Sequence, residues 1–200
     1  MRARSTWRFV LLCASAAAAA CGPGHEPHPS GTLTIVFAPM PANVASLTLS
    51  SAMLVVDRIE PIGNVPPPPG PPPILHVPID ATSTAEATVD FPHLPQGIYS
   101  RLEFSVDNVA VAGSWRGTPF TVSIDMFGGA EIDLRSNVGV PIGPDEGATM
   151  TVGVDVSGWF AGDVLDNAMV SGGQITCDAQ NNPAVTAQLS SQVAASFSLR

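Results

Sequence analysis

Apolar and polar residues alternate along most of this chain with a period of two. Leu33, Ile35 and Phe37 alternate with Thr32, Thr34 and Val36, and Leu75, Val77 and Ile79 are spaced around His76. Ala87, Val89 and Phe91 alternate with Thr88 and Asp90. The clearest stretch is 98–106, where Ile98, Leu102, Phe104 and Val106 fall on one face and Arg101, Glu103, Ser105 and Asp107 on the other. Phe120, Val122, Ile124 and Met126 repeat the pattern against Thr121, Ser123 and Asp125, and Met150, Val152, Val154 and Val156 repeat it against Thr151, Gly153 and Asp155. Successive side chains of an extended backbone point to opposite sides, so a period of two predicts half-buried strands. Ala52–Val56 is an unbroken apolar run, the form a fully buried strand takes. After Val106 the apolar parity slips to Val109 and Val111, which predicts a bulge or turn at Asp107-Asn108.

Breakers divide these strands. Residues 64–73, NVPPPPGPPP, can neither join a ladder nor form a helix, and predict an extended polyproline loop. Such a run also suits proline-recognising modules, but a solvated insertion between strands is the reading adopted. Leu94-Pro95-Gln96-Gly97 predicts a turn into the best strand, and Val140–Gly147 predicts another loop. Residues 158–166 suit a short helical turn over one end of the fold. Asn182-Pro183 places an N-cap residue before a proline at the first helical position, and Val185, Leu189, Val193 and Phe197 follow at intervals of four. The expectation is an all-β fold, an antiparallel sandwich of about seven to nine strands over 32–157. A C-terminal extension, 158–200, would carry an amphipathic helix at about 183–197, with its apolar stripe docked on the sandwich.

The N-terminus reads as an export signal. Arg2, Arg4 and Arg8 precede an apolar run from Phe9 to Ala20 that is too short to span a bilayer, which takes about 20 apolar residues with anchoring flanks. Two cleavages suit 1–20. Ala18-Ala19-Ala20 satisfies the small-x-small rule of ordinary signal cleavage, and with Cys21 it is similar to a bacterial lipobox, in which Cys21 is acylated and anchors the chain to a membrane. Residues 21–31, rich in Gly and Pro, then form a tether. Cys13 leaves with the signal. If Cys21 is lipidated, Cys177 stands alone; if it is not, a Cys21–Cys177 disulfide is open.

Composition narrows the function. Removing 1–20 leaves five basic residues against seventeen acidic ones, a net charge of −12. Such a chain repels phosphate backbones, so nucleic acid is not an expected partner. All basic residues are arginine, which excludes chemistry built on a phosphate-binding or Schiff-base lysine. His25 and His28 offer two imidazoles for a weak metal site in the tether, short of the four ligands of a closed one. Cys177 with His76 or His93 matches no nucleophile signature. Asp163, Asp166 and Asn167, or Asp178, Asn181 and Asn182, offer oxygens without the spacing of a calcium loop and suit turns instead. Trp115 and Trp159 are the candidate exposed contacts for a partner; the alternative puts both against the core.

Four stretches carry a resemblance. Gly31–Ile35, Val56-Asp57-Arg58-Ile59, Leu94–Val106 and Met150–Val156 resemble an uncharacterised family of bacterial cell-surface lipoproteins with a transthyretin-like β-sandwich, over roughly 31–157. The Leu-Pro-x-Gly-x-Tyr turn also occurs in adhesin-stalk sandwiches. This chain departs from the family at Ala38-Pro39-Met40-Pro41, where an Asp-x-Pro turn is usual. The resemblance implies a sandwich, a lipid anchor and no established activity or cofactor. The function expected is therefore a non-catalytic, lipid-anchored envelope module that binds a protein or glycan, with Gly22 after the cysteine favouring the outer membrane. The alternatives are a metal or small-ligand carrier using His25 and His28, and a secreted hydrolase using Cys177 or a carboxylate pair.

Overall fold

The alternating stretches become long paired strands in a computed structural model that describes residues 29–66 and 75–200. In chain order these are β1 (Ser30–Met40), β2 (Leu47–Gly63), β3 (Val77–Asp80), β4 (Ala87–Pro95), β5 (Gly97–Trp115), β6 (Thr118–Ile142), β7 (Gly147–Asp155), β8 (Val170–Ser171), β9 (Gln174–Cys177) and β10 (Phe197–Leu199). They form two sheets, β10-β7-β1-β4 and β3-β2-β5-β6-β9-β8. The fold is the expected all-β sandwich with a short C-terminal helix, and ten strands are described where seven to nine were expected. Most pairs are antiparallel, but β1 runs parallel to β7 and β6 parallel to β9, so both sheets are mixed.

The core lies between the sheets. Leu102, Phe104, Val106, Val152 and Val154 are all buried, as their alternation predicts. Phe104 of β5 meets Phe37 of β1 and Phe197 of β10 edge to face, with ring centroids 5.5 and 5.1 Å apart. It thus joins the two sheets through aromatic contacts that add to area burial. Ala52–Val56 alternates after all: Ala52, Leu54 and Val56 are buried, while Met53 is 39% exposed at the outer face.

The β5–β6 ladder is interrupted twice. Val106 pairs with Ala130 and Asn108 with Asp125, so the slip predicted at Asp107-Asn108 is a bulge, and 126–129 are the extra residues across from it. Tyr99 pairs with Val140 and Arg101 with Arg135, so 136–139 loop out opposite Ser100. This second irregularity reverses the parity of the strand's start. Tyr99 points inward, with its hydroxyl donating to the Pro95 carbonyl at 2.9 Å, and Ile98 is exposed rather than on the core face expected for it. Residues 140–142 are the end of β6, not a loop, because they pair with 97–99.

The segment after 157 is not an appendage. Helix α1 (Val156–Trp159), capped by the Asp155 carboxylate on the Ser157 amide, and the 3-10 turn 161–167 cover one end of the core. Then β8 and β9 extend one sheet and β10 the other. Helix α2 (Pro183–Ala194) buries Val185, Leu189 and Val193 but ends three residues before Phe197, which lies on β10. Asn182 stands at the N-cap with φ 54° and its side chain does not cap. Instead its Nδ2 donates to the carbonyls of Met169 and Thr176, and its Oδ1 accepts from the Met169 amide.

Candidate functional site

The sequence-predicted candidates fall in three groups. Cys21, His25 and His28 lie outside the described residues, as does most of the polyproline loop. Trp115 and Trp159 are buried, 3% and 0% exposed, which overturns their reading as exposed partner contacts. Each indole N–H is satisfied internally: Trp115 donates to Asp166 Oδ1 at 2.6 Å, and Trp159 to Ser196 Oγ at 2.8 Å. Both cap the core, the usual place for an indole that finds a polar partner.

Cys177, His76 and His93 are not brought together as a nucleophile set. Cys177 sits on β9 and His76 leads into β3, with β6, β5 and β2 between those strands. At about 4.8 Å per strand, that is about 19 Å. His93 lies on β4, in the other sheet. Cys177 is fully buried, and burial together with the Asp178 charge pushes its thiol up to about 11. The thiolate needed for attack is therefore scarce at neutral pH. The Asp/Asn clusters are tied up locally. Asp178 accepts from the Asn181 side-chain amide and from the backbone amides of Asn181 and Gln180, which in that order lower its carboxyl pKa, and Asp166 pairs with Arg116 at 2.9 Å.

Two other places stand out. The first is a cleft of about 660 Å³ between β8, β9 and the start of α2. Asn167, Gln174, Gln180, Asn181, Asn182 and Thr176 line it, with no charged residue among its lining side chains. Met169, which lines it, is 76% exposed, and the next residue, Val170 on the edge strand β8, is 56% exposed. The tight turn of Gly172 and Gly173, both at positive φ, folds β8 back along β9 and forms one wall.

The second place is on the outer face of the same sheet. Val56 of β2 points into the core, so Asp57 points away from it, yet Asp57 is only 4% exposed. One carboxylate oxygen explains half of this. Asp57 Oδ1 accepts from the amides of Arg58 at 2.7 Å and Leu75 at 2.9 Å. Arg58 sits at φ 50° inside a β2 irregularity between Asp57 and Glu60, which turns the Arg58 amide back onto that oxygen. The other oxygen, Oδ2, faces His76 Nδ1 at 3.4 Å. The Val56–Val77 pairing makes His76 the cross-strand neighbour of Asp57, and Ser105 pairs with Asp57 on its other side. Asp107, the extra residue of the β5 bulge, turns its carboxylate to the same spot. Ligand atoms of Asp57, His76 and Asp107 all lie within 4.8 Å of one another. The parity slip at Asp107 is visible in the sequence; its convergence with Asp57 and His76 is not, because it depends on the pairing of three strands.

No known protein family, curated protein or solved structure matches this chain.

Proposed function

We propose that this chain is an envelope lipoprotein, held to a membrane by acyl chains on Cys21, whose sandwich acts by binding rather than by catalysis. The uncharged cleft between β8, β9 and α2 carries the binding part of the reading. Its side-chain amides and hydroxyls can donate and accept hydrogen bonds to a neutral polar ligand without desolvating a charge, and the exposed Met169 adds apolar contact. A neutral glycan or an uncharged extended peptide suits it; the acidic chain disfavours an anionic ligand. The anchoring part rests on Ala18-Ala19-Ala20-Cys21-Gly22 and the tether behind it. It is supported by the burial of Cys177, which a disulfide with Cys21 would have to breach. Among the described residues no helix is long and apolar enough to cross a membrane, so a lipid would supply the attachment. Gly22 after the cysteine suits the outer membrane of a diderm cell.

Mass spectrometry of the mature N-terminus in a diderm host tests the anchor. An acylated Cys21, with Cys21→Ala moving the protein to the soluble fraction, is the expected result; a free N-terminus at residue 21 would sink it. For the cleft, soluble neutral oligosaccharides and an uncharged peptide are titrated while the side-chain amide resonances of Asn181 and Gln174 are followed by NMR. Saturable shifts are expected with one of the two, and shifts with neither would remove the binding reading.

A further inference from the structure

We propose that Asp57, His76 and Asp107 form a binding site for a divalent transition-metal cation of the zinc class. The inference does not depend on the lipid anchor or on the β8–β9 cleft, and it concerns different residues from the tether pair His25 and His28.

The argument starts from the half of Asp57 that the fold does not use. Its side chain is 6% exposed, and Oδ1 is fully occupied by two backbone amides. Among the described residues no N–H or O–H group makes a hydrogen bond to Oδ2. The only cationic group within ion-pair distance of it among the described residues is the His76 imidazole, at 3.4 Å, and a largely buried carboxylate is stable only with a positive charge beside it. Its neighbours are a second carboxylate, Asp107, and one imidazole, His76. Asp133, on β6, is instead matched by Arg101 and Arg135. Two carboxylates and one imidazole leave at least one negative charge unbalanced even with His76 protonated, and two with it neutral. A divalent cation balances them.

The geometry and the donor types fix the class. Nitrogen and oxygen ligands lie about 2.0–2.2 Å from zinc, and the edge of a tetrahedron with such bonds is about 3.4 Å. The His76 Nδ1 to Asp57 Oδ2 separation is 3.4 Å. Asp107, with a carboxylate oxygen within 4.8 Å of both, completes a three-ligand set as its half-exposed side chain on the bulge moves in. An imidazole in the set disfavours calcium and magnesium, which take oxygen ligands, and suits zinc and its first-row neighbours. The two backbone amides on Oδ1 hold the Asp57 carboxylate in place, the role outer-shell hydrogen bonds play at metal centres.

The test is calorimetric titration of the mature chain carrying His25→Ala and His28→Ala with zinc chloride, backed by the visible absorption of the cobalt-loaded protein. One saturable equivalent is expected, with cobalt bands of a four- or five-coordinate nitrogen and oxygen site. His76→Ala and Asp107→Asn, both outside the core and each checked by circular dichroism for an unchanged fold, should each weaken zinc binding by at least ~10-fold, the lower range for losing even an outer-shell partner. No saturable binding in the His25/His28-free chain would overturn the site. So would zinc affinity unchanged in both variants, or calcium binding more tightly than zinc.

Discussion

Two irregularities break the β5–β6 ladder, and a cluster of charged side chains sits beside each, but the two clusters are built differently. Next to the irregularity at Ser100, Arg101 is held by Glu103 and by Asp133 at 2.7 Å, and Arg135 reaches Asp133 at 2.8 Å. Two arginines face two carboxylates in a partly exposed array. Next to the bulge at Asp107, two carboxylates face one imidazole, and the central carboxylate is buried. The first cluster is complete within the chain. The second has backbone amides on one oxygen and an excess of negative charge on the other. Exposed, balanced ion pairs contribute little to stability, because water screens them and long side chains must be ordered to form them. A buried carboxylate that orders backbone is worth more, and its unmatched half is where a ligand can act.

The largest effect should come from what the two clusters share, the inner face of β5 between the irregularities. Phe104 is 1% exposed and packs against Phe37 and Phe197. Phe104→Ala should cost about 3–5 kcal/mol through lost transfer energy and the cavity left behind. A denaturant midpoint lowered at constant slope would confirm it. A change within error would mean that the sheets can close over the gap.

That inner face is legible in the sequence. Strict alternation from Leu102 to Val106 and from Met150 to Val156 places the core, and the slip after Val106 places the bulge. What alternation does not show is pairing. It puts Ile98 inward because Ser100, the extra β5 residue opposite the adjacent Ile62 and Gly63 of β2, reverses the strand's parity, and nothing in the apolar pattern marks it. The final forty residues read as an extension because β8, β9 and β10 have two, four and three residues, too short for a period to register. The hairpin of β5 and β6 does carry a local signal, in Arg116-Gly117. Both residues adopt positive φ, the two-residue turn that matches strand twist. The Asp57 site is hidden for a related reason. Its three members are separated in sequence and meet only because β2 pairs with both β3 and β5.

The second effect in size separates the clusters directly. Asp57→Ala leaves the part-buried amides of Arg58 and Leu75 without their acceptor, a cost toward the lower end of the about 1–3 kcal/mol for unsatisfied donors. Asp57→Asn keeps a carbonyl oxygen for those amides and should cost clearly less. Measured in chelator, this ordering tests the structural half of the carboxylate apart from any cation. Equal losses in the two variants would show that Oδ2, not Oδ1, carries the stabilisation.

The smallest effect belongs to the balanced cluster. Hydrogen bonds from Arg101 first, and then from Arg135, hold the Asp133 carboxyl down at about 2, against 3.8 for a free aspartate. A carboxyl depressed on folding contributes stability above its unfolded value and loses it as pH falls toward the folded one. The Asp133 contribution is thus constant at neutral pH and disappears between about pH 4 and pH 2. Because Asp133 lies in solvent-screened surroundings, Asp133→Asn should leave the denaturant midpoint at pH 7 unchanged within error. The pairing should be visible only in the titration itself. The Asp133 carboxyl carbon should titrate by NMR near 2, and Arg101→Gln should move its midpoint up toward the ordinary aspartate value. A midpoint unmoved by that substitution would mean that Arg101 is not what holds the carboxylate, and the contrast between a self-balanced cluster and an unbalanced one would fail on its simpler side.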